Sequence, residues 1–251
     1  MLFNVINASF NNNLLNLNFS KTLYLEFSSI KLNNIKLQIE HNRNYVSNKS
    51  ETTFLGLTVD DTLAWKQHID QLKKMSTACY ALKYSLPIET LKKIYFAHIR
   101  NIVSYGVIFW VTHDKKLFIF QKEIIRIITI TRPRDSCREI FMNMQIMTLY
   151  YQYIYTLLLF TVDNKHLFTA DNEIHKYSTT NYNNLHPALA NLTKYNKGPY
   201  ISGIKVFSHI SQYLKALVHN PKHFRFSLKR FLFHHTFYSI EEYYEYKEYT
   251  I

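Results

Sequence analysis

The residues able to do chemistry are thinly spread along this 251-residue chain. Asp60 and Asp61 stand side by side, a pair that in other settings holds a divalent metal. Here they follow Thr58-Val59 and precede Trp65 by about one helical turn, so they read as capping or first-turn carboxylates of a helix. The twelve histidines include no HExxH, and no Cys/His cluster has zinc spacing. The adjacent His234 and His235 diverge by about 100° on a helix and cannot easily share an ion. His98 falls on an apolar stripe and reads as a core histidine. Cys79 and Cys137 lie far apart, form no CxxC, and suggest a reducing compartment without structural disulfides. No GxSxG or Cys/His pairing points to a nucleophile. The four glycines form neither GxGxxG nor GxxxxGK[ST], which excludes a Gly-rich phosphate loop.

The cations carry the stronger signal. There are 30 Lys+Arg against 18 Asp+Glu, a net charge of +12. Residues 1–65 are neutral, residues 66–138 hold 14 basic and 5 acidic side chains for +9, and residues 139–251 add +3. A basic field concentrated in this way points to a polyanion, nucleic acid first and an anionic membrane surface second. A solvated basic face kept for solubility is the plain alternative. Hydrophobic residues at 47% and aromatics at 16% exclude intrinsic disorder, and the composition excludes a collagen, a coiled coil or a disulfide scaffold. The length suits one large or two small domains.

Residues 140–162 lack charge over about the length of a membrane span. They contain Asn143, Gln145 and Gln152, and Ser136-Cys137-Arg138-Glu139 before them has the pattern of a capping box. A buried pair of helices near 137–144 and 146–162 is the expectation, and a membrane location is not. Met1–Phe10 is apolar but lacks the basic n-region of a signal peptide.

These residues must be positioned by two kinds of element. Period-two alternation over 22–29 and 35–40 and a short apolar run over 53–59 predict strands, separated by Asn33-Asn34 and the polar stretch 41–52. A small antiparallel sheet is expected over 20–60. The period then changes. Trp65, Ile69, Leu72, Ser76, Cys79 and Leu82 predict one amphipathic helix. Pro87 suits the first turn of a second, with Leu91, Ile94, Tyr95, His98, Ile102, Tyr105 and Phe109 inside. A third has Leu117, Phe120, Ile124, Ile127 and Ile128 inside, with Lys115, Lys116, Lys122 and Arg126 toward solvent. After a basic turn at 130–135, and beyond the two helices near 137–162, an extended connection spans 163–203. Helices near 204–219 and 221–234 and an acidic, Tyr-rich tail from Ser239 complete the chain. The expected class is α+β, mostly α.

Four motifs occur in one order. Leu14-Leu15-Asn16-Leu17-Asn18-Phe19-Ser20-Lys21-Thr22 resembles an "LxLNxxKT" segment. Phe54-Leu55-Gly56 through Asp60, Leu63, Trp65, His68 and Ile69 is similar to "FLGxxxDxxLxWxxHI". Tyr105-Gly106, Trp110, Gln121-Lys122 and Arg126 are similar to "YGxxxW…QKxxxR". Lys197-Gly198-Pro199-Tyr200-Ile201-Ser202-Gly203 precedes Tyr238-Ser239-Ile240-Glu241-Glu242-Tyr243, which is like a "YSIxEY" ending. Together they resemble the C-terminal part of a jockey-like non-LTR retrotransposon reverse transcriptase, and the second motif is the most specific.

The resemblance implies the end of a polymerase palm at 1–64, a basic helical thumb at 65–135, a C-terminal helical region at 136–238 and a tail at 239–251. It implies an RNA/DNA template–primer duplex as partner, with no small-molecule ligand, and an intracellular location, nuclear or cytoplasmic. In the family, aspartates of two palm motifs hold Mg²⁺ for in-line attack of the primer hydroxyl. Those motifs precede the "LxLNxxKT" segment, so this chain alone is expected to be inactive, with no cofactor of its own. Lys21 matches an accessory lysine near the triphosphate. Phe54, Leu55 and Gly56 match a primer-gripping hairpin. Lys66, Lys73, Lys92, Lys93, Lys122 and Arg126 match a thumb that tracks the duplex backbone, whose contacts are salt-sensitive and indifferent to sequence. Where the family often has "HxYxTR", this chain has Thr180 in place of the Arg. The alternatives are a membrane protein spanning through 140–162, or a co-opted protein-interaction module using the Tyr/Glu tail.

Overall fold

The computed structural model describes residues 2–18, 20–27, 39–41, 44–82, 84–113, 116–169, 185–186, 196 and 198–246. Its class is α+β, mostly α. The chain divides into two compact units, Met1–Asp70 and Gln71–Ile251.

The first unit opens with helix α1 (Leu2–Asn12). Its strands are β1 (Leu23–Tyr24), β2 (Ile39–His41), β3 (Asn44–Asn48), β4 (Glu51–Phe54) and β5 (Leu57–Asp60). These make two small sheets, ordered β1-β3-β2 and β4-β5. The β2–β3 and β4–β5 pairs are antiparallel, whereas β1 runs parallel to β3. Two expectations change here. The polar stretch 41–52 holds β3, because Tyr45 and Val46 favour an extended backbone and Val46 is buried. The run 53–59 is a hairpin rather than one strand. Leu55 and Gly56 both have positive φ (49° and 85°), the signature of a two-residue type I′ turn whose twist matches that of the strands. The strand expected over 35–40 falls mostly on residues outside those described.

Helix α2 (Lys66–Leu82) carries the chain into the second unit. Trp65, Ile69 and Leu72 are buried as the period predicts, and Leu82 at its end is exposed. The next helix begins after Pro87 and continues as α3 (Ile88–Ile94), a π-turn (Tyr95–Ile99) and α4 (Arg100–Ser104), with right-handed backbone through both joints. The wider i→i+5 turn rotates the following residues relative to a regular helix. The buried line therefore runs Leu91, Tyr95, Ile99, while Ile102 and Tyr105 are exposed. His98 is exposed too, which corrects its reading as a core residue.

Gly106 adopts φ 63° and launches α5 (Val107–Trp110); α6 (Lys116–Thr129) follows. The pattern Leu117, Phe118, Gln121, Ile124, Ile125, Ile128 is buried along α6. Helix α7 (Arg138–Asn143) is short. Its expected capping box does not form: the Arg138 N–H donates to Ser136 Oγ only two residues back (3.3 Å), so the serine closes a local turn instead.

Helix α8 (Leu149–Asp163) is the hub. It packs against α4, α5, α6, α9 (Pro199–His209) and α11 (Pro221–His235). Nine of its 15 residues are buried, among them Tyr151, Gln152, Ile154 and Leu158, so its lack of charge serves a protein core. The loop at 144–148 separates α7 from α8, so 140–162 is no continuous span. Among the described residues no helix is long and apolar enough to cross a membrane.

α9 starts earlier than expected because Gly198 is its N-cap and Pro199 its first residue. It lies so close to α8 that a Cβ at Gly203 would overlap Thr161 Oγ1. Helix α10 (Gln212–Ala216) is short. Residues 239–246 are folded, through α12 (Ile240–Glu245) with Tyr243 buried; the rest of the tail lies outside the described residues.

Candidate nucleic-acid interface

Asp60 is the keystone of the second motif. Its Oδ1 accepts from the Thr62 N–H (3.0 Å) and the Ala64 N–H (2.9 Å), and its Oδ2 from the Trp65 N–H (2.6 Å). The Thr62 hydroxyl also donates to it. Burial pushes this carboxyl up, but the four hydrogen bonds outweigh it and hold the pKa below the usual aspartate value. The cap stabilises a tight connection in which Leu63 and Trp65 have positive φ (53° and 59°). Trp65 is buried and stacks edge-on with His68 (6.3 Å between ring centres). Both oxygens of Asp60 are engaged by N–H donors, so this carboxylate serves the backbone of the connection. Among the described residues no group of three His, Cys, Asp or Glu side chains could hold an ion.

The third motif is likewise scaffold. The Trp110 indole N–H donates to the Tyr105 carbonyl (3.1 Å), closing the turn opened by Gly106. Gln121 is 3% exposed. Its Nε2 donates to Tyr95 Oη and to the Met147 carbonyl, each 2.9 Å, while its Oε1 accepts from the Leu149 N–H (2.7 Å). One side chain thus joins α6, the π-turn and the start of α8. Its role was not legible in the sequence, where Gln121 stood out only as a motif residue beside Lys122.

The fourth motif carries a Ser-x-x-Glu pattern and closes a variant of the capping box, in which the glutamate reaches one residue before the N-cap. Ser239 Oγ accepts from the Glu242 N–H (3.0 Å), and Glu242 Oε2 accepts from the Tyr238 N–H (2.6 Å). Arg138 pairs with Glu242 (2.8 Å) and lies 4.5 Å over the Tyr238 ring. That ties α7 to α12.

The sequence-derived contact residues fall into three settings. Phe54 and Leu55 are 65% and 71% exposed at the tip of the β4–β5 hairpin, beside exposed Gly56. Lys21, in an exposed turn, donates its N–H to Asn18 Oδ1 (3.3 Å). Lys66 is exposed at the start of α2. In the second unit Lys93 is exposed on α3, with Lys92 and Lys73 half-buried. Lys122 and Arg126, expected toward solvent, are half-buried and engaged. The Lys122 ammonium sits 4.9 Å over Phe118 and 5.5 Å over Tyr238. Arg126 donates to the Asp135 carbonyl (3.1 Å).

A cavity lined by Leu72, Ile99, Trp110, Gln121 and Leu149 lies inside the second unit; at about 20 Å³ it holds no more than one water. Compared with known proteins, the chain matches no family model, no curated protein and no solved structure.

Proposed function

We propose that the chain is the C-terminal part of a non-LTR retrotransposon reverse transcriptase, working inside the cell, and that it holds an RNA/DNA template–primer duplex. The observation that carries this reading is the +9 excess over residues 66–138, with Lys74, Lys93, Lys116, Arg132 and Arg134 exposed in the second unit and Lys66 exposed in the first. Exposed cations of this kind meet phosphates without reading sequence. The hairpin tip gives secondary support. Leu55 sits in a left-handed turn position that favours Asn or Gly, and its side chain is largely exposed. Strain kept at an exposed site fits a contact role.

Polymerisation would need Mg²⁺ held by palm aspartates; this chain's own residues contribute binding only. An RNA–DNA hybrid titrated by filter binding tests the proposal. Affinity is expected to fall linearly in log–log form with salt, by about 0.9 per phosphate neutralised. Lys66→Glu with Lys93→Glu should weaken it and flatten the slope. Absence of binding at low salt would overturn the proposal.

A further inference from the structure

Helix α11 carries a second feature, remote in sequence from the basic segment. Its sequence, PKHFRFSLKRFLFHH, holds four Lys or Arg and no acidic residue. Phe224, Leu228 and Leu232 are fully buried, so its apolar face is already committed to the core. On the opposite face Lys222, Phe226, Lys229 and Arg230 recur at three- and four-residue spacing, which places them together. All four are exposed, Phe226 to 70%. Arg225, toward the side, is paired with Asp163 at 2.9 Å.

We propose that this face binds single-stranded nucleic acid, with Phe226 stacking on an unpaired base and Lys222, Lys229 and Arg230 meeting the flanking phosphates. This goes beyond the duplex-holding role and stands without it. An exposed ring framed by three cations matches the chemistry of single-strand binding, in which stacking and phosphate contacts combine. A duplex hides its base faces in the stack, so an aromatic ring on a convex helix finds its partner only in an unpaired strand. A membrane surface is disfavoured because an interfacial helix must present a broad apolar face, and the apolar face of α11 is buried. Solubility alone would place no phenylalanine at the centre of the patch.

The test is fluorescence anisotropy of the full chain with a labelled oligouridylate of about 12 nucleotides. Phe226→Ala should weaken binding about ten-fold, Phe226→Trp should retain it, and Lys229→Glu with Arg230→Glu should abolish it. Far-UV circular dichroism should be unchanged, since these side chains are exposed. Binding of the RNA–DNA hybrid should change less than about two-fold in Phe226→Ala. The Lys66→Glu, Lys93→Glu pair should do the reverse, so the two proposals fail separately. Equal single-strand affinity for wild type and Phe226→Ala would overturn the inference. So would binding of phosphatidylserine vesicles by a chain that does not bind the oligonucleotide.

Discussion

Asp60 shows how much one carboxylate can organise. It gathers three backbone N–H groups that no helix or strand satisfies. Asp60→Asn leaves a single acceptor oxygen and should cost about 1–2 kcal/mol. The pH dependence has a definite sign. The folded carboxyl has a depressed pKa, so its stabilisation is present above the unfolded value near 3.9 and fades as pH falls through the lower folded one. Urea midpoints of wild type and Asp60→Asn should therefore differ at pH 7 and draw together as the pH falls below the unfolded value; a gap that does not narrow in acid would refute the account. The reading of the acidic pair at 60–61 as a helix cap came close but missed the mark: Asp60 accepts from Thr62, Ala64 and Trp65 in the connection ahead of α2, and from no N–H within the helix. The reach of Asp60 over five residues was not legible, since it depends on the positive φ of Leu63 and Trp65.

At the scale of elements, periodicity located α2, α6 and α11 to within a few residues, and the uncharged run located α8, which is buried on most sides. Periodicity failed where backbone geometry departs from the regular repeat. The π-turn moved Ile102 and Tyr105 outward, and the type I′ turn split an apolar run into β4 and β5. Long-range polar joints such as Gln121 to Leu149 were illegible for another reason: a single sequence does not say which polar residue is enclosed. The α8–α9 contact offers a test. Alanine normally favours a helix over glycine by about 1 kcal/mol. Gly203→Ala should instead destabilise by about 1–3 kcal/mol through overlap with Thr161. Adding Thr161→Ala should recover much of that loss in a double-mutant cycle, and simple additivity would sink the explanation.

At the scale of the molecule, leucine and isoleucine dominate the described core, and Tyr95, Tyr150, Tyr151, Tyr153 and Tyr243 are buried among them. Burial pushes Tyr95 up to about 12, although its hydrogen bond from Gln121 and the charge of Arg100 pull the other way. Burial raises Tyr243 further, with Tyr244 adding to it. Folded pKa values above the unfolded value near 10 mean that stability is intact below pH 10 and is lost as pH rises toward 12. Each of these two buried phenols should remove about 1.4 kcal/mol per pH unit in that window. Denaturation midpoints measured from pH 8 to 11.5 should fall accordingly, and Tyr95→Phe should make the fall shallower. An equal slope for that variant would show that other groups set it.

The π-turn at Tyr95–Ile99 has a consequence for length variation. A five-residue turn in a helix is a one-residue surplus, and removing the surplus restores the regular repeat. Deleting the exposed Ala97 should leave the flanking helices in phase, so that Leu91 and Val107 keep their places. Deleting the equally exposed Asn101, outside the surplus turn, should swing everything after it by about 100°. Thermal melts of the two deletions would tell them apart: the chain has a spare position at 97 and none at 101.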